Sequence, residues 1–577
     1  MQQLFEKNLK FFYDHLPSYY RLIVNSSKNF IIKNDNIFDK NSNPVYPNSI
    51  QKDSQLIATN PINNPLWKKQ FYFHPNKWNE KEFFATGKII NKIISDKKEY
   101  FFDNDFLPTT ILFGLISGKH LDLLFKNYSF QSLFIYEPNP EFFAISCYFV
   151  DWEKVYKKYN ERLFLWVGGE MDYFAIEKFF YERIVTSSFL NIYYKAYEHP
   201  LIDDAIKKFH TIQSTKLRGW GTFEDEFKGI KNHIRNITKY PLLQNFRKTN
   251  APICIVANGK SLEKNIPFIK KNRNSMIIVS VGTALRPLMK AGIESDFHFE
   301  QERIDVLIEA LKDTLPNYNG YFVGASVVNP KIFEMAKNPL MYIREAFTLE
   351  NKYKPLLGSS PIVGNAGFAF GAAFGKEIYL CGMDLGYRLN DKKHASGSFY
   401  DTREDMAKEG IKVKGNFSND IYSDSLLLSS KDKIEKMIEF FNLKVYNLSD
   451  GAYIKGSVPL KDKTLPKINK EQIKKEILSN FKPVKKIDNT IDTDSLIKAL
   501  KKAFLLPAKN QKELTGKIDF IEDLLKEYSK VNKSAFTLLK GSIFHIALNH
   551  YAEFFKGNDT SKIISENLDI FNALNNP

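Results

Sequence analysis

Cysteine is scarce in this chain: three occur in 577 residues, Cys147, Cys254 and Cys381. Each lies in an apolar segment, and none stands at metal-ligand spacing from another. That argues against a thiolate metal site, with no metal expected, and for a reducing, cytoplasmic setting. Long apolar runs are also missing. No stretch approaches the roughly 18 uninterrupted apolar residues of a membrane span, so no integral membrane segment is expected. The first residues, MQQLFEKNLKFFYDHL, lack a basic segment followed by an apolar one; they read as an amphipathic helix, not a signal peptide. Charge is not concentrated either. The net charge is +16, yet basic residues never form a run of five or six. Nucleic-acid binders gather such residues on one element, so no nucleic-acid partner is expected. The excess fits a Lys-rich, Asn-rich composition, or attraction of anionic partners such as nucleotides.

Several catalytic signatures are absent. There is no GxxxxGK[ST] phosphate loop, no HExxH and no Gly-x-Ser-x-Gly elbow, which argues against a classical hydrolase or kinase. The DxD pair of many metal-dependent sugar transferases is missing near the expected strand end; DND at 103–105 lies elsewhere. What remains is a nucleotide site built from backbone amides and neutral polar side chains, with a histidine as the titratable group.

Material for cores is plentiful: hydrophobic residues make up 43% and aromatics 14%. The length predicts two to four domains. Residues 1 to about 100 mix Asn, Pro and aromatics, as short strands and turns do after a first helix. From Pro108 apolar strands alternate with helices: Thr110 to Phe113, a strand ending at Glu137, and the stretch ERLFLWVGGE. This predicts a parallel α/β layer. Gly114, Gly118 and Glu137 follow a dinucleotide-type arrangement without its full spacing, so a scaffold role is expected there. A second α/β block begins at 251, with strands expected at 253–257, 276–281, 296–300, 320–325, 377–381 and 443–447. The small-residue run GNAGFAFGAAFG at 364–375 reads as a buried helix pressed on the sheet. Beyond about 465 the periodicity is helical. The expected division is an N-terminal α/β domain (1–245), a central Rossmann-like parallel sheet (246–462) and a C-terminal helical bundle (463–577).

Open α/β sheets bind ligands at the C-terminal ends of their strands. Candidate loops there are Asn258-Gly259-Lys260-Ser261, Gly282-Thr283, the segment with Glu300, Gln301 and Glu302, and the loop from Gly382 and Asp384 through Tyr387, Arg388 and His394 to Tyr400. Asn supplies a donor and an acceptor, Gly admits close backbone approach, and Ser caps a helix.

The segments ICIVANGKSLEKNIPFIKK, IIVSVGTALRPLMKAGIESDFHFEQER and GSSPIVGNAGFAFGAAFGKEIYLCGMDLGYRLNDKKHASGSFY resemble the motility accessory factor (Maf) family of flagellin glycosyltransferases. Their strand-Asn-Gly-x-Ser-Leu entry and later Gly-x-Asp are similar to bacterial sialyltransferases that use a cytidine-monophosphate (CMP) sugar. One departure is Lys260, where the family more often has Pro. The resemblance implies transfer of a nonulosonic acid, pseudaminic or legionaminic, from a CMP donor to Ser or Thr of flagellin, for flagellum assembly and motility, with no further cofactor. It implies that Asn258, Gly259 and Ser261 hold the donor, with Gly282, Thr283, Glu300, Gln301, Ser359, Ser360 and Gly382 around it. Tyr387 and Tyr400 would donate to the leaving phosphate, Asp384 would belong to the catalytic group, and His394 would be the general base. Two alternatives stand beside it: a pterin pyrophosphokinase-like enzyme, and a flagellin-binding chaperone with a vestigial nucleotide pocket.

Overall fold

The computed structural model describes residues 1–71, 77–93, 100–159, 162–345, 347, 353–485 and 493–558. Contacts divide the chain into two compact units: residues 1–222 with 493–531 and 539–577, and residues 223–492 with 532–538.

In the first unit the amphipathic start is a helix, Gln2–His15, followed by the expected short ribbons and turns, of which residues 72–76 and 94–99 lie outside the described residues. Its sheet has five strands: β1 (Trp67–Phe71), β2 (Thr109–Phe113), β3 (Leu133–Glu137), β4 (Leu163–Val167) and β5 (Leu190–Lys195). Their order is β1-β5-β2-β3-β4, parallel except for antiparallel β1. β2 and β3 are buried at every residue, so both read as unbroken apolar runs.

The helices expected after 463 are present, but they do not form a unit of their own, and the expected boundaries at 245 and 462 are not those of the contacts. Helix Phe223–Asn236 belongs to the second unit, and the helices from 494 on belong largely to the first. The reason is visible in Gln511–Val531, which carries buried carboxylates that need donors. Asp519 pairs with Arg162 at 2.6 Å, and Glu522 accepts the N–H groups of Ile184 and Val185 at 2.8 and 2.7 Å.

The second unit is built on a ten-stranded sheet. Its strands are β6 (Leu242–Leu243), β7 (Pro252–Val256), β8 (Ile277–Val281), β9 (Phe297–Glu300), β10 (Tyr321–Ala325), β11 (Pro339–Tyr342), β12 (Glu377–Cys381), β13 (Val445–Asn447), β14 (Val458–Pro459) and β15 (Phe481–Lys482). The order is β14-β13-β12-β7-β8-β9-β10-β11-β6-β15, parallel except for the β6–β15 pair. From β7 the chain runs outward through β8 to β11, then returns to place β12 on the other side of β7. The sheet therefore reverses direction between β7 and β12, where open α/β sheets form their ligand crevice. Helix α1 (Leu262–Lys271) follows β7, and helix α2 (Val363–Phe374) precedes β12. α2 is buried nearly throughout, as its small residues predict; a side chain at Gly367 would run into Val281 of the sheet.

Candidate active site at the sheet reversal

The turn after β7 is held from two sides. Gly259 donates its N–H to Gly382 O at 2.8 Å, tying it to the end of β12. Asp384, two residues further on, accepts the Ser261 N–H at 2.9 Å and the Ser261 hydroxyl. Gly259 has to be glycine: a Cβ there would lie 2.5 Å from Asp384 Oδ2 and 2.6 Å from Gly382 O. Burial pushes the Asp384 carboxyl up to about 6, against the pull of the two Ser261 bonds. Asp384 thus braces the turn.

The loop after β12 folds back and pairs with the turn like a short strand. Gly259 and His394 form an antiparallel bridge, Ala395 N–H donates to Asn258 O at 3.0 Å, and Lys260 N–H donates to Lys393 O at 3.2 Å. The amides of 259 to 262 are all spent inside the protein: Leu262 N–H closes the turn on Gly259 O at 3.0 Å. The turn was expected to offer these amides to a donor; they go to Gly382, Lys393, Asp384 and the turn's own Gly259 O instead. Lys260, the departure from the family pattern, turns its ammonium to Glu263 Oε1 at 2.8 Å.

Asn258 donates its Nδ2 to Thr283 Oγ1 at 2.7 Å, while its buried Oδ1 has no partner. Thr283, in the short 3-10 helix Gly282–Ala284 after β8, accepts that bond and so keeps its own proton to donate. Tyr400 is 43% exposed, and its ring centroid lies 5.0 Å from that of His394. Burial raises its hydroxyl pKa, and so do the charges of Glu300 and Glu302. Glu300 is almost fully buried at the end of β9, its Oε1 3.5 Å from His298 Nε2, and burial raises its carboxyl as well.

The other expected residues form a second group or serve the framework. Gln301 is fully buried; it donates to Pro361 O at 3.0 Å and accepts from the Tyr342 hydroxyl at 3.3 Å. Ser359 is fully buried and accepts the Glu345 N–H at 2.9 Å. Ser360 meets Arg344 Nε at 3.5 Å. Tyr387 is buried, and its hydroxyl is spent on Glu409 O at 3.0 Å. Asn258, Gly259, Ser261, Thr283, Gly382, Asp384, His394 and Tyr400 therefore come together. Gln301, Ser359 and Ser360 gather around Pro361.

Sequence reading missed Asp405. Its Oδ1 stands 2.6 Å from His394 Nδ1, and its Oδ2 accepts the His394 N–H at 3.0 Å. The only signal was an acidic pair, Glu404-Asp405, a few residues past Tyr400.

Comparisons with known proteins agree with this architecture. Residues 4–216 match the family model of the glycosyltransferase Maf N-terminal domain. Residues 228–390 match the family model of 6-hydroxymethylpterin diphosphokinase MptE-like domains. The Maf glycosyltransferase of Magnetospirillum magneticum AMB-1 has a similar structure, with a TM-score of 0.66 and 19% identity over 98% of this chain and 94% of that one. At that identity the likeness is one of fold. No curated protein matches in sequence. The class so defined is a multidomain α/β protein with the fold of that glycosyltransferase. The resemblance to the Maf family is carried by these matches: one region is similar to the Maf N-terminal domain and the next to MptE-like domains.

Proposed function

We propose that this protein transfers a nonulosonic acid, pseudaminic or legionaminic, from a CMP-activated donor to Ser or Thr hydroxyls of flagellin in the cytoplasm, a step needed for flagellum assembly and motility. The observation that carries the reading is the strand-like bridge between Gly259 and His394, which ties the backbone of His394 to the turn at the sheet reversal. Three buried free cysteines accord with a reducing compartment. Among the described residues no helix is long and apolar enough to cross a membrane.

In this reading the donor phosphate lies by Asn258 and the Thr283 hydroxyl. The sugar extends toward His394 and Tyr400, and Glu300 faces the nucleoside. His394 Nε2 takes the proton of the acceptor hydroxyl as its oxygen attacks the anomeric carbon. The bond from that carbon to the phosphate oxygen breaks, CMP leaves, and the configuration inverts. The Tyr400 hydroxyl donates to the phosphate as charge builds there, a fixed dipole aimed at the leaving group. Ser261, Gly382 and Asp384 act through the turn, and Tyr387 through its loop.

The family description of residues 228–390 favours a second reading, a pterin pyrophosphokinase-like activity. That match ends before His394, Tyr400 and Asp405, so the description covers strands β6 to β12 and not the part of the loop that carries the base. The test is to incubate the protein with flagellin and each CMP-nonulosonic acid, with and without a chelator, and read the intact flagellin mass. Gain of one sugar mass per site is expected. No gain with any donor, together with pyrophosphoryl transfer from magnesium-ATP to a pterin, would replace this reading with the second. No turnover of either kind, with filament assembly still restored, would leave a chaperone.

A further inference from the structure

We propose that Asp405 is the positioning residue of the base, setting which nitrogen of His394 carries the proton. The proposal rests on the transferase reading for its kinetic consequence, but not for its geometry.

Asp405 sits in the short 3-10 helix Arg403–Asp405 and is only 9% exposed. Both its carboxylate oxygens are committed to one residue: Oδ1 to His394 Nδ1 at 2.6 Å and Oδ2 to the His394 N–H at 3.0 Å. Its backbone returns the grip, since Asp405 O accepts the Lys393 N–H at 3.3 Å. Two further bonds zip the same loops together: Asn390 N–H to Ala407 O at 2.8 Å, and Ala407 N–H to Asp391 O at 3.0 Å. An ionised carboxylate only accepts hydrogen bonds, so the nitrogen facing it must carry a proton. In the neutral imidazole that leaves Nε2 bare, with its lone pair free to receive the acceptor proton. When Nε2 has taken that proton, the ring is a cation 2.6 Å from a carboxylate oxygen. Asp405 then stabilises the state in which the acceptor oxygen is activated. The ring is also fixed in angle, by Asp405 at one nitrogen and by Tyr400 across its face.

A loop staple would use the same contacts, so the test has to separate the two roles. Asp405→Asn keeps size and shape. Its amide oxygen still accepts the His394 N–H, but its NH2 now faces Nδ1 and favours the proton on Nε2. The expected result is a fall in kcat on the order of 100-fold or more. KM for the CMP-sugar and the melting temperature should stay close to wild type, and Asp405→Glu should recover part of the rate. A kcat within a few-fold of wild type would overturn the proposal, and so would a loss confined to KM and melting temperature. Nitrogen-15 NMR of the imidazoles gives a readout that needs no donor. The His394 signals, assigned as those missing in His394→Gln, should report a protonated Nδ1 and bare Nε2 in the wild type, reversed in Asp405→Asn. A wild-type Nε2–H tautomer would overturn the proposal even if the variant failed to fold. The expected tautomer in a protein that transfers no sugar would leave the proton placement standing and remove the transferase reading.

Discussion

The space a side chain on Gly259 would occupy is already filled by Asp384, whose Oδ2 lies 2.5 Å from the missing Cβ. Two loops from opposite sides of the sheet reversal are thereby closed on each other, and His394 is hung from one of them. Gly259→Ala has to push Asp384 away from Ser261 or Gly382 away from the turn. Overpacking of this kind costs about 1–3 kcal/mol. The expected outcome is a lower melting temperature with a loss of transfer greater than the loss of stability, because the bridge to His394 is broken as well. Denaturant melts beside initial rates check it; unchanged rates would show that the turn does not set the base.

Asp384 also gives the fold a pH dependence with a definite sign. Its folded pKa of about 6 lies above the ordinary 3.8, so the folded state holds this proton more tightly than the unfolded chain. Between pH 4 and 6 the unfolded carboxyl ionises freely, while the folded one must become a buried charge. Stability from this group is thus full below about pH 4 and is lost as pH rises through 6, on the order of 3 kcal/mol by linkage. Asp384→Asn removes that titration. The melting temperature of the variant minus that of wild type is expected to grow from pH 4 to pH 7. A difference that is flat with pH would contradict the burial of this charge.

His394 and Tyr400 are expected to separate kinetically from the residues that hold the turn. His394→Ala should lower kcat about 100- to 10,000-fold while leaving the affinity for CMP nearly unchanged, as loss of a general base does. Tyr400→Phe removes one donor to the leaving phosphate and keeps the ring against the imidazole. A loss in kcat of about ten- to 100-fold is expected, smaller than that of His394→Ala. Titration calorimetry with CMP and steady-state rates with the sugar donor check both. Full transfer by His394→Ala would remove it as the base.

The strands that place the site were legible because they are buried on both faces. The run ICIV, expected at 253–257, is β7 at Pro252–Val256, and the strand expected at 377–381 is β12 itself. β11 was not seen: it spans four residues, starts at Pro339 and has no polar alternation to mark it. β6 is two residues long and takes its place only by pairing with β11 and β15. In the site, the Asn-Gly-x-Ser turn and Asp384 could be read as a set, because each follows a strand. Asp405 could not, since its partnership with His394 depends on a loop of irregular backbone folding over itself, and no periodicity encodes that. The free turn amides were expected for the same reason. Only the fold reveals that Gly382, Lys393 and Asp384 consume them. The docking of the late helices was hidden too, because helical periodicity marks an apolar face and not the partner of a buried Asp519 or Glu522.

The N-terminal sheet carries one more test. Glu137, at the end of β3, stood where a dinucleotide-binding acid would. Its carboxylate instead accepts the Leu115 N–H at 2.6 Å, the Asn139 N–H at 2.9 Å and the Tyr197 hydroxyl. It is turned into its own loops, as a scaffold residue is. Burial pushes it up to about 7, with the Tyr197 bond the largest force the other way. Tyr197→Phe removes that donor and leaves a buried carboxylate short of one partner, at a cost of about 1–3 kcal/mol. The raised folded pKa means the ionised form is the costly one. The destabilisation should therefore be larger at pH 8, where Glu137 is charged, than at pH 5.5, where it is mostly protonated. Sugar transfer by the folded variant should match wild type. A selective loss of nucleotide binding in Tyr197→Phe, with stability unchanged at both pH values, would instead make this loop a ligand site.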